Sequence, residues 1–164
     1  MYNTYPINRR SRLIITQNKE WQSISTTGIA NIGGFDNGVP NFCFPSGFSS
    51  NSTRPYKLAE VCSHEVGHAM GISHAGSNST PYYRGHGTSL THSKLWGPIM
   101  GSTYSTQISH WSKGEYSDAN NSQDNLALIA SAINGLGYKD DDHGNTTATA
   151  SELTLFSNGT ISTN

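Results

Sequence analysis

Residues 64–74 have the types and the spacing to bind a metal ion and to use it in catalysis. The stretch reads HEVGHAMGISH. Residues four apart lie on one face of a helix, so His64 and His68 can bind the same ion. Glu65, on the same turn, can reach water at that ion. Gly71 can take the left-handed conformation that ends a helix, which lets His74 approach from another direction.

Three neutral imidazoles with one open position are typical of catalytic zinc, because structural zinc sites are closed by four protein ligands that usually include cysteine. The pattern predicts one catalytic Zn²⁺ bound by His64, His68 and His74, with Glu65 as general base. Two alternatives stay open: an amphipathic core helix whose histidines lie on its polar face, and a metal site without catalysis. The first leaves the spacing of Gly71 and His74 unexplained.

The motif resembles that of the metzincin zinc endopeptidases, which carry a tight methionine turn beneath the metal. Pro98-Ile-Met100-Gly fits this turn, and the resemblance implies that Met100 supports the three imidazoles. The alternative is a methionine that only packs. Astacins and serralysins have a zinc-proximal tyrosine two residues after the methionine. Here the nearest is Tyr104, four residues after, a candidate for stabilising the transition state.

Within that clan the chain resembles secreted bacterial proteases of the reprolysin-like type. The similarity runs from 82–87 (YYRGHG) to 111–116 (WSKGEY) and covers most of residues 9–143. Many relatives have an acidic residue after the third histidine, whereas this chain has Ala75. The resemblance implies an α+β, metzincin-like catalytic domain with a twisted mixed sheet, an active-site helix and an irregular C-terminal subdomain that ends in a helix.

Composition favours a loop-rich exported protein. Of 164 residues only 13% are charged, and the chain is rich in serine, threonine and asparagine. A net charge of -1 argues against nucleic acid and anionic membranes as partners. No apolar stretch is long enough to cross a bilayer, and residues 1–6 lack an export segment, so a secretion signal would lie outside this chain. We expect a secreted monomer.

Three strands and a helix are predicted around the motif. Residues 12–16 (RLIIT) read as a buried strand, 28–35 (GIANIGGF) as a glycine-weakened edge strand and 41–44 (NFCF) as a third strand. By resemblance, a protein or peptide substrate lies along Gly28–Phe35. The helix is predicted over 56–70, and the stripe opposite its histidines packs under the sheet; the stripe consists of Leu58, Cys62, Val66 and Ala69.

The segment between His74 and Met100 lacks periodicity, so irregular structure is predicted there. A capped amphipathic helix is predicted from Asn121 to Asn134-Gly135. Its apolar stripe is Leu126, Ile129, Ala130 and Ile133. Four histidines lie outside the motif without ligand spacing: His86, His92, His110 and His143. They are interpreted as surface or hydrogen-bonding residues, with a second zinc site as the alternative.

Residues 1–138 are interpreted as the catalytic domain and 139–164 as a linker with the start of a following β module. Residues 140–143 (DDDH) are an acidic turn or a Ca²⁺-binding loop. Asn158-Gly159 predicts a two-residue hairpin. The resemblance also implies that the domain is N-terminally truncated, since metzincins have two strands and a helix before the strand at 12–16. The exposed edge would then make the chain poorly soluble or weakly active.

Cys43 and Cys62 are the only cysteines. Cys62 lies roughly opposite His64 on the predicted helix and faces the strand that carries Cys43. A disulfide between them is one hypothesis, and two buried thiols the other.

The sequence therefore predicts a zinc endopeptidase in which metal-activated water attacks the peptide bond. Two other functions stay open: an inactive zinc-bearing module that binds peptides or mediates adhesion, and a zinc amidase acting on cell-wall peptides.

Overall fold

The computed structural model describes residues 10–18, 20–23, 25–48, 54–140 and 143–163. Its helices and strands, in chain order, are β1 (Leu13–Ile15), β2 (Gly28–Ile29), β3 (Asn41–Cys43), α1 (Arg54–Ala69), β4 (Lys94–Pro98), β5 (Thr106–His110), α2 (Asn125–Ile129), β6 (Leu153–Leu155) and β7 (Ile161–Thr163). The predicted α+β class is confirmed. Among the described residues, no helix has both the length and the apolar character that crossing a bilayer requires.

The sheet in front of α1 is mixed and has the order β1-β3-β2. β3 is central, parallel to β1 and antiparallel to β2. β3 is the most buried of the three because it lies against α1, and its Cys43 side chain is fully buried. β2 lies at an edge of this sheet, as the sequence predicts for the strand that begins at Gly28.

Two strand predictions need correction. The strand predicted over 28–35 ends at Ile29, because the chain then turns and Gly33 adopts φ +72°. The strand predicted over 12–16 exists as β1 but is not buried, since Ile15 is 54% exposed. An apolar β-branched run predicts a strand without showing whether both of its faces are covered.

α1 carries the motif and ends as predicted at the glycine. The N–H of Ile72 donates to the carbonyl of Gly67, and the N–H of Gly71 donates to that of His68. With Gly71 at φ +93°, these bonds form a Schellman motif. Ile72 is fully buried beneath it. The chain therefore leaves the helix in one defined direction, toward His74.

Of the predicted stripe on α1, Ala69 is fully buried, and Val61, which the prediction omitted, is buried as well. Val61 is 1% exposed and packs with Cys43 and Phe48, whereas Val66 is only half-buried. Leu58 and Cys62 border the same cluster.

A pair of parallel strands follows in a region where the sequence predicts none. β4 pairs with β5, and the turn at residues 99–101 follows β4 directly. Glu60 on α1 connects the helix to this strand pair. The Glu60 carboxylate accepts hydrogen bonds from Thr103 Oγ1 at 2.6 Å and from Ser109 Oγ at 2.7 Å. The prediction of irregular structure up to Met100 is therefore wrong for 94–98. The glycine and the proline of this strand weaken its sequence signal.

The predicted C-terminal helix is much shorter than expected. α2 has five residues, and its N-cap is Asp124, whose carboxylate accepts from the N–H of Ala127. Leu126 is 50% and Ile133 is 83% exposed, so the predicted apolar stripe faces solvent at both ends. Leu128 and Ile129 are the residues that pack against the core.

The last strands form the predicted hairpin, but with a different turn. β6 and β7 are antiparallel, and Gly159 at φ +79° donates its N–H to Phe156. A two-residue type I′ turn would need positive φ at Asn158 also, and Asn158 does not have it. Of the proposed calcium loop, Asp141 and Asp142 lie outside the described residues.

Candidate metal centre

The three histidines of the motif converge at one point between α1 and the segment that follows it. One nitrogen from each of His64, His68 and His74 lies within 4.8 Å of the others. His68 Nε2 and His74 Nε2 are 3.0 Å apart. This is the one group of potential metal ligands found among the described residues. The helical spacing and the Schellman turn thus bring together the residues that the sequence predicts as ligands.

Backbone carbonyls select the tautomer of two histidines. His64 Nδ1 lies 2.8 Å from the carbonyl oxygen of Ile99, and His68 Nδ1 lies 2.7 Å from that of Ile72. A carbonyl can only accept, so each Nδ1 carries the hydrogen and each Nε2 presents a lone pair. Such bonds to the outer nitrogen are the usual support of metal-binding histidines. The donor set therefore fits a divalent metal with a preference for nitrogen.

Burial keeps these imidazoles neutral. Desolvation lowers the pKa of His64 to about 4, with smaller contributions from His68 and His74. Burial also lowers the pKa values of His68 and His74. Since only the neutral imidazole binds a metal, the site is ready for an ion at neutral pH.

Glu65 lies buried beside the histidines with its carboxyl group in the same cavity. Desolvation raises its pKa to about 7. β2 approaches it closely, because a Cβ on Gly28 would overlap both Glu65 Oε1 and Val61 Cγ1. Gly28 is therefore the residue that lets the edge strand and the carboxylate share one wall of the cavity.

Met100 is fully buried in the turn after β4. A Cβ on Gly67 would lie 2.6 Å from Met100 Sδ, so the sulfur packs against α1 between the first two histidines. The same turn supplies the Ile99 carbonyl that orients His64. The supporting role of Met100 stays a prediction.

The loop that carries His74 is hydrogen-bonded to residues 121–123, a segment that the sequence analysis assigned to a helix cap. Asn121 Nδ2 donates to the carbonyl of His74 at 2.9 Å and to that of Ser73 at 3.3 Å. Gln123 Oε1 accepts from the N–H of Ser73 at 2.8 Å. These contacts span nearly fifty residues of chain, so no local pattern could have revealed them.

The cavity around the histidines has a volume of about 370 Å³ and is open on one side. Two tyrosines line it. Tyr104, which the sequence singled out, packs against Phe48, and its hydroxyl lies 3.3 Å from Thr27 Oγ1. Tyr82 was missed, because it lies in a segment without periodicity. Its ring centroid is 4.3 Å from that of His74.

Both tyrosines are electrostatically coupled to Glu65. Burial raises the pKa of each phenol, and the Glu65 charge raises it further. Both therefore keep their hydrogen at neutral pH and can donate it in a hydrogen bond. Residues 27–30 around β2 also line the cavity, and Thr27 lies next to Tyr104.

Cys43 and Cys62 lie side by side between β3 and α1 as free thiols. Burial raises the pKa of Cys43, and the adjacent Cys62 raises it further. The predicted facing of Cys62 toward the sheet, away from the metal site, agrees with this contact. The disulfide stays a prediction.

The remaining histidines have other partners within the described residues. His86 Nδ1 pairs with Tyr83 Oη, His92 Nδ1 with Thr91 Oγ1 and His143 Nδ1 with Ser151 Oγ. His110 Nδ1 accepts from the indole N–H of Trp96. These contacts favour the interpretation as hydrogen-bonding residues.

A sequence model of the family described as Peptidase M66 matches residues 19–158, more than four fifths of the chain. The chain belongs to the peptidase M66 family. No curated protein and no solved structure is similar enough to the chain to match it. The M66 match contains all three histidines, Glu65 and Met100. Family membership supports a peptidase, and a three-histidine cluster in an M66 chain is consistent with a metallopeptidase.

Proposed function

We propose that this M66 chain is a zinc endopeptidase with a metzincin-type catalytic domain, acting outside the cell. The observation that carries the proposal is the convergence of three imidazole nitrogens beside the buried Glu65 carboxyl in one open cavity. His64, His68 and His74 would hold the ion. Zinc bound there would lower the pKa of a coordinated water to about 7 and polarise the scissile carbonyl.

The chain's own groups then carry the proton and orient the substrate. Glu65 takes a proton from the attacking water and passes it to the departing amine, and a pKa raised toward 7 suits both transfers. The phenols of Tyr82 and Tyr104 are the donors proposed to stabilise the oxyanion. The Ile99 carbonyl orients His64, and Met100 in the same turn is the residue proposed to support the imidazoles.

A peptide is proposed to lie along β2 in extended form. β2 is an edge of the three-stranded sheet, and residues 27–30 line the cavity. Backbone hydrogen bonds to such an edge hold a substrate without regard to its side chains. An endopeptidase needs this geometry because both ends of its substrate continue beyond the site.

Digestion of casein with and without a chelator tests the proposal. The expected result is cleavage that chelator abolishes and that added zinc restores. Zinc binding without cleavage would favour the inactive peptide-binding or adhesion module instead. Lysis of a cell-wall suspension with intact casein would favour the amidase.

Glu65→Gln separates catalysis from metal binding. We expect this variant to keep its zinc and to lose turnover by about a hundredfold or more, since it removes the proton carrier but no ligand. His68→Ala is the matched comparison and should lose the metal. Near-normal proteolysis by zinc-loaded Glu65→Gln would contradict the assigned role.

A further inference from the structure

A second cavity opens beside the metal centre, and we call it the side pocket. It has a volume of about 600 Å³ and lies between the segment after the third histidine and the start of β4. Its wall contains two cations, Arg84 and Lys94, together with the hydroxyl groups of Ser77, Thr80 and Tyr83. None of the described residues that line it carries a carboxylate.

The side pocket adjoins the catalytic cavity, because Tyr82 and Ser102 line both. Tyr82 also contacts His74, so one ring separates a proposed metal ligand from the cationic wall. A peptide bound at the metal centre can therefore extend along this wall on one side of the scissile bond.

The backbone that carries Arg84 is fixed before any ligand arrives. The N–H of Tyr83 donates to the carbonyl of Ala75 at 2.8 Å, and the carbonyl of Tyr83 accepts from the N–H of Ser102 at 2.9 Å. Gly85 adopts φ +87° against the Trp96 carbonyl. A preformed site loses little entropy on binding, which favours recognition by even a few contacts.

The charges of Arg84 and Lys94 are uncompensated locally. Within the described residues neither side chain is ion-paired. Burial raises the pKa of Tyr83, and the charge of Asp118 raises it further, but Asp118 does not line the side pocket. Two cations among hydroxyl groups form a site for a carboxylate, which the planar guanidinium of Arg84 can bind through two parallel hydrogen bonds.

We propose that the side pocket is a substrate subsite for an acidic side chain, so that the peptidase prefers protein segments with aspartate or glutamate close to the scissile bond. This inference rests on the proposed function. Exposed ion pairs are weak, so the two cations should favour an acidic peptide by only about threefold to tenfold, and high salt should reduce the preference.

The test uses a neutral peptide taken from a site cleaved in casein. Glutamate is placed at each position near the scissile bond, with glutamine at the same position as the reference. At one or more positions on one side, we expect kcat/KM to be about threefold to tenfold higher with glutamate at low salt. Equal rates for glutamate and glutamine at every position would overturn the proposal.

Variants assign the preference to the side pocket. In Arg84→Gln/Lys94→Gln the preference should disappear, whereas Arg84→Lys/Lys94→Arg should retain it because both charges remain. Lys139→Gln removes one exposed positive charge outside the pocket and should leave the preference unchanged. A double glutamine variant that still prefers glutamate would show that the acidic side chain binds elsewhere.

Binding measurements distinguish failure of the subsite from failure of the proposed function. Fluorescence anisotropy with labelled peptides on Glu65→Gln needs no turnover. Tighter binding of the glutamate peptide, lost in the double glutamine variant, supports the subsite; if casein is not cleaved at all, the glutamate and glutamine peptides are built on an uncharged casein segment instead. Equal affinity for both peptides contradicts it.

Discussion

At the scale of single residues, the proposed catalytic carboxylate of Glu65 lies against Gly28, a neighbour that has no side chain. Gly28→Ala should reduce kcat about tenfold to a hundredfold while zinc remains bound, because the new Cβ would displace Glu65 and small misplacements of a catalytic group are costly. Steady-state kinetics with zinc analysis would measure this. Ile15→Val, on β1 of the same sheet with an exposed side chain outside the cavity, is the control. Unchanged kcat in Gly28→Ala would show that Glu65 tolerates the contact.

Residue burial also predicts how the zinc-free protein responds to pH. The pKa of His64 is lowered to about 4 in the folded chain, so between about pH 6.5 and 4 the unfolded chain binds the extra proton. This proton uptake lowers the free energy of unfolding as pH falls. Glu65 acts in the opposite direction, because its pKa is raised to about 7 and protons bind the folded state first.

Chemical denaturation of zinc-free Glu65→Gln between neutral pH and pH 5 isolates the histidine contribution. We expect stability to decrease as pH falls through this range. Adding His64→Asn to the same background should make the decrease smaller. A free energy of unfolding that stays constant in the parent variant would be inconsistent with a buried neutral His64.

At the scale of elements, His74, the third proposed ligand, belongs to a loop that is hydrogen-bonded to a segment nearly fifty residues away. Asn121→Asp removes both hydrogen bonds donated to the His74 loop and places a carboxylate beside two carbonyl oxygens. Changes to such outer contacts cost metal affinity about tenfold or more. Competition with a chromophoric chelator would measure zinc affinity, with exposed Ser122→Ala as the control. Equal affinity in Asn121→Asp and Ser122→Ala would show that α1 alone positions the site.

At the scale of the whole molecule, Cys43 and Cys62 join the sheet to the active-site helix. If they form a disulfide in an oxidising compartment, the closed loop of about twenty residues should add about 3 kcal/mol. In a domain of this size that corresponds to a rise in Tm of about 6–12 °C. Calorimetry with and without reductant would measure it, and Cys62→Ser should show no such difference. Two freely alkylated thiols after unfolding under oxidising conditions would exclude the bridge.

The sequence by itself determined the features that depend on local geometry. Helical spacing places His64 and His68 on one face, and Gly71 supplies the positive φ that a Schellman turn needs. The strand at 41–43 also follows from local pattern. Each of these features depends on residues within about ten positions of one another, so the sequence alone is enough to predict it.

Only the tertiary structure decided which distant groups complete the site. Three contacts join segments that are far apart in sequence or lack periodicity: Gly28 with Glu65, Tyr82 with His74, and Asn121 with the His74 loop. β4 and β5 were missed for the same reason, since their pairing stabilises strands that composition does not favour. Such contacts depend on how the whole chain packs, and no local pattern of residue types encodes that packing.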